Sequence, residues 1–109
     1  MNKYLLLIKS TTHLDYSPEK YQKRMDEYRE WLTTIADHYI SSNRLERTGA
    51  HIHSQNEVIT DGPFLDVKES IAGFIMLKAN DLDQAIKISL SCPLLKYFEI
   101  MVRPMIEED

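Results

Sequence analysis

Two stretches of this chain are apolar on both sides of an extended backbone, and they limit the folds open to it. In "KYLLLIK", Lys3 to Lys9, a strand puts Tyr4, Leu6 and Ile8 on one face and Leu5 and Leu7 on the other. "SIAGFIMLKA", Ser70 to Ala79, repeats the pattern, with Ile75 and Leu77 opposite Phe74 and Met76. Near-continuous apolar runs of this kind belong to strands covered on both faces. A chain of 109 residues must find that cover.

The remaining elements supply half of it. Ser17-Pro18-Glu19 opens a helix: Ser17 is a capping residue, Pro18 suits the first turn and Glu19 complements the dipole. Tyr21, Met25, Tyr28, Leu32, Ile35 and Tyr39 then recur at helical spacing, and the helix fades near Ser41 to Asn43. A weaker extended stretch follows over Arg47 to Ser54, then a turn at Gln55-Asn56-Glu57 and a short strand at Val58 to Thr60. Asp81 caps a second helix with Gln84 as its capping-box partner, and Leu82, Ala85, Ile86 and Leu90 form its apolar face. Cys92-Pro93 stops it. The last strand, Tyr97 to Arg103, alternates: Phe98, Ile100 and Val102 against Tyr97, Glu99, Met101 and Arg103.

Strand, helix, two strands with a small extra hairpin strand, helix, strand is the α+β, ferredoxin-like split βαβ order. Its two helices cover only one face of the sheet. The chain has no segment left for the other face, so a second copy of itself is the simplest cover. The length favours a single domain spanning residues 1–109. A net charge of −4 argues against nucleic acid as a partner, because phosphate binding needs a basic patch. No apolar run is long enough to span a membrane. The N-terminus lacks a signal-peptide pattern, and the lone Cys92 has no internal disulfide partner. These features point to the cytoplasm.

"DGPF" at Asp61 to Phe64, "KE" at Lys68-Glu69, Gly73, "DLDQAI" at Asp81 to Ile86, "CP" at Cys92-Pro93 and "VRP" at Val102 to Pro104 come in a telling order. With the opening "KYLLLI", they resemble the YCII-related, DGPF-domain family over nearly the whole chain. The resemblance implies a dimeric α+β barrel, in which two ferredoxin-like sheets pack face to face. It also implies kinship with small enzymes that use a His-Asp pair, one branch of which acts on chlorinated hydroxyquinone-type compounds. That pair does not transfer residue by residue: His13 and Asp15 precede the first helix without a matching spacing.

Candidate ligand-binding residues are Asp61, Lys68, Glu69 and Arg103. Asp61-Gly62-Pro63 reverses the chain, and Phe64 anchors the turn. Lys68 and Glu69, just before a buried strand, form either a salt bridge or a pair that positions a small ligand. If the two strands are close and antiparallel, that pair lies near the Arg103 end of the last strand. Alternation puts Arg103 and Glu99 on one face with Met101, which the resemblance implies is the inter-subunit face, and there they need each other or a pocket. An arginine there suits a carboxylate, phosphate or enolate.

His51 and His53 in "HIH" lack an identifiable third ligand, so no metal and no cofactor are expected. His38 reads as a surface residue of the long helix, and Cys92 has no partner His nearby. Tyr21, Tyr28, Trp31 and Tyr39 fit either core packing or an aromatic-binding cleft. Two functional classes stand: a small homodimeric enzyme or binder of a small anionic or aromatic ligand, and a non-catalytic interaction or regulatory module. A pocket beside the candidate residues marks the former.

Overall fold

The computed structural model describes residues 1–10, 16–59 and 71–108, apart from the side chains of His53 and Ile59. Strand β1 (Asn2–Ser10) leads to helix α1 (Pro18–Thr34), then β2 (Tyr39–Arg44), β3 (His51–Ser54), β4 (Glu57–Ile59), β5 (Ile71–Ala79), helix α2 (Leu82–Leu90) and β6 (Phe98–Pro104). A 3-10 turn, Pro93–Lys96, joins α2 to β6. Four strands form one sheet in the order β2-β5-β1-β6, and β3 and β4 pair separately as a hairpin. Every neighbouring pair in the sheet is antiparallel.

The double alternation of β1 and β5 puts one set of residues under the helices. Tyr4, Leu6, Ile8, Ile75, Leu77 and Ala79 join Trp31 and Ile35 of α1, Ala85 of α2 and Cys92 in a single buried cluster. Phe98, Ile100 and Val102 pack against it from β6, on the side their alternation predicts. Leu6, Ile75 and Leu77 are the largest fully buried side chains. Trp31 ties the helices together: its Nε1 donates to Ser91 Oγ (2.8 Å) just past the end of α2.

The chain leaves α1 earlier than its apolar spacing suggests. Thr33, Thr34 and Ile35 are β-branched and poor helix continuers. Thr34 Oγ1 bonds back to the Trp31 carbonyl (2.6 Å), and the Tyr39 N–H closes onto the Ile35 carbonyl (3.0 Å). The end of β5 then captures the chain: Lys78 N–H donates to the His38 carbonyl (2.8 Å), and His38 Nδ1 donates to the Lys78 carbonyl (2.9 Å). Tyr39–Arg44 is thus the edge strand β2, not the tail of a helix, and His38 is a strand clamp rather than a helix-surface residue. The weaker extended stretch begins later than expected, at His51, and belongs to the hairpin instead of the main sheet.

One helix cap and one helix face also differ. Ser17 makes no side-chain capping bond to α1; its carbonyl accepts the Tyr21 N–H (2.9 Å), and Pro18 supplies the first-turn geometry. In α2, Asp81 does cap, accepting the Gln84 N–H (2.8 Å). Its buried face, however, is Ala85, Ile88 and Ser89, while Leu82, Ile86 and Leu90 are exposed. Small residues let α2 settle close to the sheet, with the Ser89 hydroxyl satisfied by the Ala85 carbonyl (2.8 Å).

The opposite face of the sheet has no helix among the described residues. Leu5, Leu7, Phe74 and Met76 are half-buried there and Met101 is exposed, with Leu7 paired to both Phe74 and Met101.

Candidate functional site

Between α1 and the β2–β5 side of the sheet lies a cavity of about 130 Å³. Ile8, Tyr21, Tyr28, Ile75, Leu94 and Phe98 give it apolar and aromatic walls. Gly73 forms part of the wall where β2 and β5 approach closely: a Cβ there would stand 2.7 Å from the Asn43 carbonyl oxygen. An apolar cavity of roughly 150 Å³ accepts a benzene-sized molecule. This one therefore has the scale of a single ring.

Its polar wall is unusual for a space under a helix. Arg24, on the inward side of α1, is only 8% exposed and lines the cavity. Its guanidinium carbon lies 5.2 Å from the centre of the Tyr16 ring and 5.5 Å from that of Tyr97. Nη2 is buried and has no hydrogen-bond partner among the described residues. Glu27, three residues along α1, is the obvious local counter-ion. Instead its carboxylate is held by Lys96 Nζ and by the Tyr97 hydroxyl (3.3 Å). The Lys96 contact, more than any other, pulls the Glu27 carboxyl below its ordinary range. A second cation, Arg44 of β2, also lines the cavity and stands over the Tyr21 ring at 5.2 Å.

The same two elements, α1 and β2, also carry a hydroxyl cluster. Tyr28 Oη donates to Ser42 Oγ (2.9 Å), and the Tyr39 hydroxyl shares a further bond with the same oxygen (2.7 Å). Burial pushes the Tyr28 phenol above its ordinary range, so it remains a proton donor at neutral pH. Of the four tyrosine and tryptophan residues flagged in sequence, Tyr21 and Tyr28 line the cavity, while Trp31 is core and Tyr39 packs against the core.

Asp61, Lys68 and Glu69 lie outside the described residues, as do Phe64, His13 and Asp15. Arg103 is exposed on the helix-free face, opposite Leu5 of β1. The register keeps the start of β5 away from it. Ile71 and Glu99 both pair with Lys9, whereas Arg103 pairs with Leu5. Those β1 positions are about 13 Å apart along the strand. β5 and β6 also flank β1 rather than each other, so the beginning of β5 and Arg103 do not converge.

Arg24 escaped the sequence reading because an arginine on a helix reads as solvent-facing. The signal was present: Tyr21, Arg24, Tyr28, Trp31 and Ile35 run in steps of three and four, with a single charge inside an apolar stripe. Cys92 is buried and its thiol is pushed up to about 11 by desolvation, which makes it a core residue rather than a nucleophile. Among the described residues no group of three or more His, Cys, Asp or Glu gathers to hold a metal, and no helix is long and apolar enough to cross a membrane.

The family model of the YCII-related domain matches residues 4–108. No curated protein matches the chain in sequence. Among solved structures, the fold is similar to that of a 5-chloro-2-hydroxyhydroquinone dehydrochlorinase from Burkholderia phenoliruptrix AC1100, determined in complex with 2,5-dihydroxybenzoquinone. That likeness has a TM-score of 0.54 at 16% identity, covering 97% of this chain and 95% of the other. An Arabidopsis thaliana protein of known crystal structure matches with a TM-score of 0.46 at 12% identity, over 100% of this chain and 97% of its own.

Proposed function

Because the chain belongs to the YCII-related family, we propose that it is a small homodimeric enzyme or binding protein that holds a single-ring aromatic molecule between α1 and the sheet. The carrying observation is the cavity itself: its volume suits one ring, and Tyr21, Tyr28 and Phe98 offer ring faces and edges to it. The dehydrochlorinase of similar fold carries a one-ring quinone, which fits this reading. The dimer is a pair of ferredoxin-like units joined through the helix-free face, where Leu5, Leu7, Phe74, Met76 and Met101 await cover. The net charge of −4 and the cysteine content suit the cytoplasm. Asp61, Lys68 and Glu69 remain ligand candidates within this reading, while Arg103 is assigned to the dimer face instead.

An interaction module is the second reading. It draws on Leu82, Ile86 and Leu90, an exposed apolar stripe at helical spacing on α2. Titration with hydroquinone, followed by amide chemical shifts, separates the two. Ligand-dependent shifts at Tyr21, Tyr28 and Gly73 support the cavity reading. Shifts absent from these residues at millimolar ligand leave the interaction module as the better account.

A further inference from the structure

Arg24 is a buried cation without a counter-ion among the described residues, on the wall of a cavity sized for a ring. Burying a charge is unfavourable unless it is paired and hydrogen-bonded. Two aromatic rings attract the guanidinium, but a ring face accepts none of its in-plane N–H bonds as a carboxylate does. The one acidic residue well placed to pair with it on α1, Glu27, is engaged by Lys96 and Tyr97 instead. The Tyr97 hydroxyl thus helps hold that carboxylate while its ring lies by Arg24. Arg44, on the far strand of the same cavity, adds a second positive charge. No carboxylate forms an ion pair with either arginine among the described residues.

We infer that the ligand of this cavity is an aromatic carboxylate, whose ring lies among Tyr21, Tyr28 and Phe98 and whose carboxylate pairs with the Arg24 guanidinium, which has no carboxylate partner among the described residues. This rests on the ring-binding reading above and narrows it from any single ring to an anionic one. A carboxylate fits better than a phenolate because its two oxygens match the planar fork of a guanidinium. Arg44 favours the same charge on approach to the site. Arg24 is then a specificity residue, held ready for an external anion at the expense of the empty protein's stability.

The test compares benzoate with benzamide, which share a ring and differ in charge, by calorimetric titration of the full-length protein. Benzoate should bind about tenfold or more tightly than benzamide, the scale of a charge-assisted hydrogen bond. Its affinity should fall with pH as the ligand itself becomes protonated, while that of benzamide stays flat. Arg24→Met should remove the preference for benzoate and leave the melting temperature unchanged or higher, because a buried unpaired charge has been replaced by an apolar side chain of similar length. Arg24→Lys, which keeps the charge but not the fork, should retain only part of the preference.

Equal binding of the two ligands by the wild type overturns the inference and leaves the ring-binding reading standing. A melting temperature for Arg24→Met reduced as far as that of a core deletion also overturns it, since Arg24 would then be structural. If neither ligand binds, both readings fall.

Discussion

The two faces of the sheet carry the same kinds of residue from the same strands and differ in what lies over them. On one, Leu6, Ile75 and Leu77 are sealed beneath α1 and α2. On the other, Leu5, Leu7, Phe74 and Met76 stay half-buried with no element above them among the described residues. The closed face can shelter a polar anomaly because its core is complete around it: Arg24 sits beside a cavity while Trp31, two stripe positions further along α1, closes the packing. The open face mixes its apolar residues with charges, Arg103 and Glu99 standing at exposed positions of its edge strand. On the reading proposed above, selectivity toward a small molecule belongs to the first, and self-association to the second.

The largest expected effect contrasts neighbours in β1. Leu6→Ala should destabilise the protein by about 2–5 kcal/mol, whatever the protein concentration. Leu7→Ala should cost less within one protomer and show a loss that shrinks as concentration rises, because mass action opposes it. Chemical denaturation at several concentrations reads both. Concentration-independent losses of equal size would erase the distinction between the faces.

Next is Leu7→Lys. The wild type should sediment at twice the 12.8 kDa chain mass at micromolar concentration, and the variant as a single chain or unfolded. A wild type that stays monomeric removes the partner from the open face.

Gly73→Ala acts where β2 meets β5. Its new Cβ would press on the Asn43 carbonyl at 2.7 Å, and a strand backbone yields less readily than a side-chain tip. A loss of about 1–3 kcal/mol, the usual range for overpacking, should accompany weaker ring binding, since Gly73 also lines the cavity. Unchanged melting and binding would show that the β2 edge gives way freely.

The smallest effect concerns Glu27 and Lys96 near the surface. Glu27 has a folded pKa below its unfolded value, chiefly through Lys96, so its contribution is complete above the usual carboxylate range and fades as pH falls through the folded pKa. Glu27→Gln should lower the melting temperature slightly near neutrality, and the difference should vanish in acid. A difference that persists in acid would assign Glu27 a role other than its charge.

Much of this contrast was legible in residue order, and the parts that were not have physical causes. The double alternation of β1 and β5, the capped start of α2 and the alternation of β6 follow from local rules, and the structure keeps them. β2 was hidden because Tyr39 extends the helical spacing of α1, and only pairing with β5 makes it a strand. The packing of α2 was misjudged because its large residues look like the buried face, while close approach favours Ala85 and Ser89. At the site, the tyrosines were visible as a possible cleft. Arg24 was not, because its burial depends on a sheet that local spacing does not reveal. Arg103 falls on the helix-free face, the side that the family resemblance implied, and it does not line the cavity.

The most direct test of the division between the faces is a crystal structure of the protein grown with benzoate. The account predicts one ring in each protomer between α1 and the sheet, its carboxylate within hydrogen-bonding distance of Arg24, and two helix-free faces packed against each other. A ring bound beside Arg103 on the helix-free face, with the Arg24 cavity empty, would contradict it.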